Sequence, residues 1–250
     1  MIKFTSTGNL ENEIKGIIAA YNRLVLGIEK EALSGETGRA YGGIIRAGKG
    51  KLVESITREM ILIAWQLLGG DPQRIEFSTK KVKVPIKRDY IEKIKDHEVK
   101  NYLLKNINKC YYSQKNDLHV YIDGKFVLAV ECKSYTEDAM LKRVLVDFTL
   151  LKQVHPNLKF LLVQLESQLG GDYSIKLCNH PLGSFPTHTL LSYFDIELNI
   201  ITLLKGERDV KRPIHKKEFF KPLTKESLES AIEVIKGLLA DFVQTQRDFF

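Results

Sequence analysis

Residues 116–135, NDLHVYIDGKFVLAVECKSY, constrain the fold of this chain more than any other stretch. Two apolar runs flank the dipeptide Asp123-Gly124, and Asp-Gly between apolar runs is a strong signal for a tight β-hairpin. The second run ends in Glu131 and Lys133, although burying a charged group costs several kcal/mol unless the group is paired or bound. The sequence therefore predicts an antiparallel hairpin whose charged end lies at a strand terminus or at a functional site.

The charged residues at this end of the hairpin are predicted to share one face. Side chains two positions apart in a strand point to the same side, so Glu131 and Lys133 should face one way and Cys132 the other. The alternative to a functional site is an ordinary ion pair at a sheet edge, which stabilises a fold by a fraction of a kcal/mol. A thiol nucleophile at Cys132 is rejected, because no His–Asp pair accompanies it in the sequence.

The hairpin register predicts which further residue joins the two charges. Counting outward from the loop pairs Val127 with Val120 and sets Glu131 opposite residue 116, within one or two positions. Asp117 should then arrive beside the Glu and the Lys. Hard cations such as Mg²⁺ bind one or two carboxylates together with phosphate oxygens and waters. A lysine beside them can hold an attacking water or balance developing charge.

This pattern resembles the PD-(D/E)xK nuclease family, which has an acid at the start of one strand and (D/E)xK on the next. Here the motif is Asp117, thirteen intervening residues, and then Glu131-Cys132-Lys133. Asn116 stands where the name-giving motif has proline. The stretch VLAVECKSYTEDAMLKRVLVDFTLLKQVHPNLKFLLVQLES looks like the core of type II restriction endonucleases and is most similar to the BbvCI-like group.

The resemblance implies a Mg²⁺-dependent type II restriction endonuclease that hydrolyses double-stranded DNA and leaves 5′-phosphate ends. It implies that Asp117 and Glu131 bind the metal and that Lys133 positions the water nucleophile. Since one site cuts one strand, it also implies a homodimer or a pairing with a second nuclease subunit. Two other functions stay open, a structure-specific repair or recombination nuclease of the same fold and a non-catalytic basic DNA-binding protein.

Glu54 is a candidate for a further catalytic acid, because related nucleases often carry one on a helix that precedes the motif. The alternative is a surface glutamate that pairs with Arg58 at i+4. Glu59 and Glu137 are weaker candidates for the same role.

The rest of the chain predicts an α/β fold, a mixed β-sheet flanked by helices on both faces. Apolar spacing, capping residues and Gly or Pro breaks predict the elements. In chain order they are helix 9–33, a Gly-rich connection 34–51, helix 51–68, a basic strand around 81–87, a polar helical stretch 90–109, the hairpin, helix 137–155, buried strand 158–167, a helix and strand within 188–204, a basic loop 205–217 and amphipathic helix 224–244. We expect one nuclease domain over 1–250, with a helical N-terminal region over 1–72, a catalytic core over 73–204 and a C-terminal region over 205–250.

Charge and composition favour a nucleic-acid partner inside the cell. The formal net charge is +7, which is compatible with a polyanion. The three cysteines form no CxxC pair and no disulfide framework, which indicates a reducing cytoplasm. No apolar run approaches the roughly 20 residues that span a bilayer, and no signal peptide is predicted.

Basic and polar residues around these elements are candidates for contact with DNA. The predicted DNA-binding residues are Lys49, Lys51, Lys83, Lys87, Arg88, Lys115, Ser134 and Arg212. For the basic strand two interpretations stay open, a solvated sheet edge protected by lysines and a basic strip beside DNA. Base recognition is unassigned, and the candidates are Arg74, Arg88, Arg208 and Arg212, each of which serves equally well as a phosphate contact.

Several polar residues near the motif have structural explanations beside functional ones. Tyr112, Ser113 and Gln114 lead into the motif aspartate, and Tyr135 follows the lysine. Gln164 interrupts a buried strand and is expected to be a core amide with satisfied hydrogen bonds. His119 and His155 lack partners at metal-ligand spacing and are expected to be structural or surface residues.

Overall fold

The computed structural model of the chain describes residues 10–33, 38–174, 176–177 and 180–243, and it excludes the side chains of 29–44, 46 and 175–181. The helices and strands of these ranges are, in chain order, α1 (Leu10–Leu33), α2 (Gly38–Leu67), β1 (Ile75–Ser78), β2 (Val82–Pro85), α3 (Arg88–Glu92), α4 (His97–Lys105), β3 (Tyr111–Gln114), β4 (Leu118–Ile122), β5 (Lys125–Glu137), α5 (Asp138–Val154), β6 (Lys159–Gln168), β7 (Lys176–Leu177), β8 (His180–Pro181), α6 (Phe185–Leu191), β9 (Leu198–Thr202) and α7 (Lys225–Leu239).

The centre of the fold is a mixed five-stranded sheet in the order β1-β4-β5-β6-β9. The β1-β4 and β4-β5 pairs are antiparallel, and the β5-β6 and β6-β9 pairs are parallel. The long apolar runs of β5 and β6 follow from this position, because central parallel strands are covered on both faces. The predicted α/β class and the hairpin followed by a helix and a buried strand are confirmed.

Helices cover both faces of this sheet. Val130 and Cys132 of β5 belong to a large core that also contains buried residues of α1, α2 and α7. Ala129, on the opposite face, packs in a separate cluster with Phe148 of α5 and Phe160 of β6. The predicted C-terminal helix is confirmed as α7, and the hydroxyl of its cap Thr224 accepts a hydrogen bond from the Ser227 N–H at 3.2 Å. The single nuclease domain and its division into three regions stay predictions.

The predicted Gly-rich connection is wrong over most of its length. Residues 34–37 lie outside the described residues, but α2 begins at Gly38 and runs through the remaining glycines. Gly48 of this helix packs against α1, and a Cβ at this position would collide with the side chain of Ile28 on α1. The absence of a side chain therefore lets α1 and α2 pack closely, and the helix tolerates a residue of low helix propensity.

The β4-β5 hairpin turns at Asp123-Gly124 as predicted, and both residues have positive φ, +51° and +71°. Its register differs from the prediction by one residue. Val120 pairs with Leu128 and not with Val127, because a bulge lies between Val120 and Tyr121. The shift sets the motif residues one position closer to Asp117 than simple counting does.

Four short strands were not predicted from the sequence, and two of them, β7 and β8, pair with each other. β1 pairs with β4, and β3 pairs with the basic strand β2 in a separate two-stranded sheet. Pro85 ends β2, in agreement with the expectation that it marks a sheet edge or a strand end. Among the described residues, no helix combines the length and the apolar character needed to cross a membrane.

Candidate active site

The motif lies where β5 loses its neighbour on one side. The last pair between β4 and β5 is Leu118 with Val130, whereas the pairing of β5 with β6 continues to Glu137. The carboxylate of Asp117 takes the place of a strand partner, because its Oδ2 accepts a hydrogen bond from the Cys132 N–H at 2.8 Å. The edge of β5 from Glu131 onward is therefore open on the β4 side, and this open edge is here called the notch. The hydrogen bond to Asp117 and the pairing with β6 hold its backbone in place.

The structure brings the three predicted residues together at this notch. The Lys133 Nζ lies 3.2 Å from Asp117 Oδ2 and also contacts Glu131 Oε2. The Asn116 amide donates a hydrogen bond to Glu131 Oε1 at 2.7 Å. The predicted convergence is therefore present, and the catalytic and metal-binding roles of these residues stay predictions.

Burial perturbs the charged groups of the site in opposite ways. Glu131 is 6% exposed, and burial raises the pKa of its carboxyl, although the Lys133 ammonium and the Asn116 amide oppose this rise. Burial alone would lower the pKa of Lys133, but Glu131 and Asp117 outweigh it and the net shift is upward. Lys133 is therefore held as an ammonium that donates hydrogen bonds.

Cys132 points away from the site, as expected. Its thiol is buried and lies 3.6 Å from the Thr57 hydroxyl of α2. Burial raises the pKa of this thiol well above its usual value, so the group is inert toward nucleophilic chemistry. The contact also shows that α2 packs directly on this portion of β5.

Glu54 lies one helical turn before Thr57 on α2, within electrostatic range of the site. Burial and then the charge of Asp117 raise the pKa of the Glu54 carboxyl, whereas Lys133 lowers it. The catalytic role proposed for Glu54 from sequence stays a prediction. Glu59 interacts electrostatically with Arg58 and with Glu13 of α1. Glu137 is the C-terminal residue of β5 and directly precedes α5.

A cleft of about 240 Å³ opens above the notch. Besides the motif residues, its wall consists of Lys115 and of four side chains on one face of α5, which are Met140, Arg143, Val144 and Asp147. These four residues were not predicted from the sequence as part of the site. Their i, i+3, i+4 and i+7 spacing, on the helix that follows the motif strand, was the available signal. The cleft opens onto both carboxylates and onto Lys133.

The donor set at the notch suits a hard divalent cation. Among the described residues, no group of three or more His, Cys, Asp or Glu side chains is close enough to hold a metal. Asp117 and Glu131 supply oxygen donors only, and their oxygens already converge on one cation, the Lys133 ammonium. Mg²⁺ usually takes one or two carboxylates and completes its shell with water and substrate phosphate, so two carboxylates beside an open cleft fit it.

The predicted DNA-binding residues lie in four places. Lys115 lines the cleft, and Ser134 is half-buried beside Lys133 on β5. Lys83, Lys87 and Arg88 are exposed on β2 and at the start of α3, and Arg212 is exposed 3.8 Å from Asp209. Lys49 and Lys51 lie on α2 instead of the predicted loop. Lys51 is exposed, whereas Lys49 is half-buried and burial lowers the pKa of its ammonium.

The candidate base-reading arginines differ in their surroundings. Arg74 forms an ion pair with Asp123 at 2.7 Å, at the hairpin turn, which is the end of β5 opposite to Glu131. The Arg208 guanidinium lies over the Tyr135 ring, 3.7 Å from its centroid, and hydrogen-bonds Gln168. Arg74 therefore stabilises the hairpin turn, and Arg208 is held near the C-terminal end of β5.

The remaining polar candidates are buried or half-buried, except for Tyr112 and Ser113. Gln164 donates a hydrogen bond to the Thr202 hydroxyl at 2.9 Å, but its carbonyl oxygen has no partner among the described residues. His119 is fully buried against Phe126, and His155 packs on the same ring. Gln114 is buried on β3, whereas Tyr112 and Ser113 are exposed. The core position expected for Gln164 is therefore confirmed, while its full hydrogen-bond satisfaction is not.

Comparison with known proteins identifies the family. No protein-family model matches the chain. Among solved structures, the native BbvCI A2B2 tetramer matches with a TM-score of 0.34 and 11% identity, over 90% of this chain and 86% of that chain. A TM-score this low does not establish a shared fold. The type II restriction enzyme DdeI of Desulfomicrobium norvegicum is 49% identical over 236 residues, which cover 92% of this chain and 98% of that enzyme. Identity of this degree over nearly the whole of both chains shows that the chain belongs to the type II restriction enzymes and is an endodeoxyribonuclease.

Proposed function

We propose that this protein hydrolyses double-stranded DNA at specific sites in a Mg²⁺-dependent reaction that leaves 5′-phosphate and 3′-hydroxyl ends. The observation that supports this proposal is the convergence of Asp117, Glu131 and Lys133 at the open edge of β5. When these three groups are ionised their summed charge is −1, which attracts a dication and repels an unaccompanied phosphate.

Each residue of the site has a distinct role in the proposed reaction. Asp117 and Glu131 hold the metal, which supplies Lewis-acid stabilisation of charge at the scissile phosphate. The Lys133 ammonium donates a hydrogen bond that orients the attacking water toward the phosphorus. Glu54, whose carboxyl has a raised pKa beside Asp117, assists from α2. Asn116 holds the buried oxygen of Glu131, so that the other oxygen faces Lys133 and the cleft.

Cleavage of plasmid DNA tests the assigned residues. We expect Asp117→Ala and Lys133→Ala to lower the cleavage rate by about 100-fold or more, because each removes a group that acts on the reacting phosphate. Matched controls are Glu76→Ala and Lys125→Ala, which remove exposed charges from the far end of the sheet. Circular dichroism checks that all four variants fold. Undiminished cleavage by either active-site variant would contradict the assignment.

The metal and the products are tested on the wild-type protein. Cleavage should stop when a chelator removes divalent cations and return on addition of Mg²⁺. A DNA ligase should rejoin the purified fragments without prior phosphorylation, because ligation requires a 5′-phosphate beside a 3′-hydroxyl. Fragments that become ligatable only after kinase treatment would contradict the proposed products.

Double-strand cleavage requires two sites, so we propose that the protein acts as a homodimer or with a second nuclease subunit. Sedimentation of the pure protein with uncut DNA and Ca²⁺ separates these cases. Two copies per duplex indicate a homodimer. One copy per duplex, together with accumulation of nicked plasmid in Mg²⁺, indicates that a second subunit is needed.

The other two functions considered from sequence are tested by the same preparations. A repair or recombination nuclease would prefer branched DNA to linear DNA, whereas a restriction enzyme yields discrete bands from plasmid DNA. A non-catalytic protein would bind DNA and cut under no metal ion. Membership of the type II restriction enzymes favours the discrete bands.

A further inference from the structure

One segment carries the whole net charge of the protein. Residues 79–115 contain eleven Lys or Arg and four Asp or Glu, which gives a formal charge of +7, equal to that of the full chain. The other 213 residues contain 27 basic and 27 acidic side chains. The positive charge is therefore concentrated in the region of the fold that comprises β2, α3, α4 and β3.

The basic side chains of this segment form no ion pairs. All of its residues are described, and none of its Lys or Arg side chains forms an ion pair, although twelve ion pairs were found elsewhere in the described residues. All of these basic residues are exposed except Lys100, which is half-buried. Unpaired like charges repel one another, so binding of a polyanion to the segment is electrostatically favourable.

The β2-β3 hairpin presents a share of this charge on one face. Val82 and Val84 point toward the protein, and Val82 packs against the cluster that includes Phe148 of α5. Side chains alternate along a strand, so Lys81 and Lys83 point outward. Lys83 pairs across the hairpin with Ser113, whose exposed side chain shares the outer face.

This outer face leads directly to the candidate active site. Val82 is paired with Gln114, so Lys81 and Lys115 stand at the same end of the hairpin. Lys115 is exposed, lines the cleft and precedes Asp117 by two residues. The outer face of the hairpin therefore carries four exposed neighbours, here called the basic hairpin face: Lys81, Lys83, Ser113 and Lys115. At one end of this face, Lys115 lines the same cleft as Asp117 and Glu131.

We propose that the sugar–phosphate backbone of double-stranded DNA binds along the basic hairpin face and is guided by it into the cleft. This inference rests on the proposed function, because it takes DNA as the substrate. Of the two interpretations that the sequence left open for β2, a solvated edge protected by lysines and a basic strip beside DNA, this proposal selects the second. Edge protection explains lysines on a short strand, but it does not explain a face that lies beside the cleft in a segment whose basic side chains form no ion pair. A second copy of the chain is a poor occupant, because eleven basic and four acidic residues would repel the same segment of a partner.

The salt dependence of DNA binding tests this proposal. The probe is a fluorescein-labelled duplex of about 30 base pairs without divalent metal, and the dissociation constant is measured by anisotropy from about 50 to 200 mM salt. Each phosphate contact contributes about 0.9 to the slope of log K against log[salt]. The double variant Lys81→Gln/Lys83→Gln is therefore expected to have a slope shallower by about 1.8. If the lines for wild type and variant meet at 1 M salt, binding at 0.1 M is weakened about 60-fold.

Matched variants separate a local contact from a general loss of charge. Lys125→Gln/Lys225→Gln removes the same charge from exposed positions on the β4-β5 turn and at the start of α7, and the slope should stay that of the wild type. Ser113→Asp adds a negative charge to the face and should also weaken binding. Because all these side chains are exposed, melting temperatures should agree with that of the wild type.

Two results would overturn the proposal. One is a wild-type slope in Lys81→Gln/Lys83→Gln, and the other is an equal change of slope in the control pair. Sedimentation that shows a changed oligomeric state with an unchanged slope would assign the face to a protein partner instead. Wild-type cleavage in Mg²⁺ separates the two levels of inference. If the wild type cuts DNA and the slope is unchanged, only this inference fails, whereas absence of cleavage refutes the proposed function.

Discussion

Replacement of Asn116 by leucine is expected to impair the candidate active site and leave the fold intact. The Asn116 side chain is 1% exposed, and its amide donates to Glu131 Oε1 at 2.7 Å. Its own carbonyl oxygen has no hydrogen-bond partner among the described residues. Leucine has nearly the same size, so the variant removes the donor to Glu131 and also removes an unsatisfied acceptor.

The size of the effect follows from the charge on Glu131. A hydrogen bond to a charged group contributes about 1.5–3 kcal/mol, which corresponds to a factor of roughly 10–150. Loss of a group that orients a metal ligand typically lowers metal affinity or activity by about 10–100-fold. Both estimates predict a rise of about 10–100-fold in the Mg²⁺ concentration that half-activates cleavage. Global stability should fall by less than the roughly 1.5–3 kcal/mol of the lost hydrogen bond, because removal of the unsatisfied acceptor offsets some of the loss of the donor.

The assay combines Mg²⁺ titration of the cleavage rate with calorimetric titration of Mg²⁺ into the protein without DNA. The control is Asn199→Leu on β9, where a half-buried amide lies 3.5 Å from the Phe160 carbonyl and far from the motif. Wild-type metal binding and activation in Asn116→Leu would refute the reasoning. If Asn199→Leu lost as much metal binding and activation as Asn116→Leu, the effect would be a general one on the sheet and not specific to Glu131.

Two further predictions concern stability. Burial, and then the charge of His155, lowers the pKa of His119 from 6.5 to about 4. Because the pKa of His119 is lower in the folded than in the unfolded protein, protonation favours unfolding. The contribution of neutral His119 to the free energy of unfolding is complete above about pH 6.5. It is lost as the pH falls through 4, by up to about 3 kcal/mol. Denaturant midpoints of His119→Phe should lose this pH dependence, and an unchanged profile would contradict its origin in His119. Gly70→Ala should destabilise by about 1–3 kcal/mol in thermal melts, because the new Cβ would collide with the buried Trp65 ring. Gly237→Ala, on α7 with open space around it, should stabilise by about 0.5–1 kcal/mol, so equal shifts in both variants would contradict the steric argument.

The hairpin could be predicted from sequence because its determinants are local. Asp123-Gly124 accepts the positive φ of both turn residues, and the apolar runs on either side fix the strands. The convergence of Glu131 with Asp117 follows from this turn and from the two-residue period of a strand. The bulge beside Val127 shifted the register by one residue, within the margin of the count.

The errors arose where distant contacts decide the structure. The glycines before Leu52 predict a loop by their intrinsic propensity, but they lie in α2, where Gly48 packs on Ile28 of α1. β1 and β3 each have four residues and carry polar side chains, so their pairing with β4 and β2 leaves little trace in the sequence. The α5 wall of the cleft depends on how that helix packs across the sheet, which residue spacing alone does not specify.

The opposite charges of the candidate site and of the basic hairpin face have one physical explanation. Asp117 and Glu131 repel a phosphate, and Lys133 offsets only one of their two charges, so a phosphate can approach closely only together with a dication. In the proposed complex, the lysines of the face attract DNA over about 10 Å at 0.1 M salt, whether or not metal is present. Binding and bond cleavage therefore depend on different charges, which explains why salt and metal concentration should act on separate steps. The buried run of β5 connects the two, because its rigid apolar portion fixes Glu131 and Lys133 at the point where β4 ends and the DNA can enter.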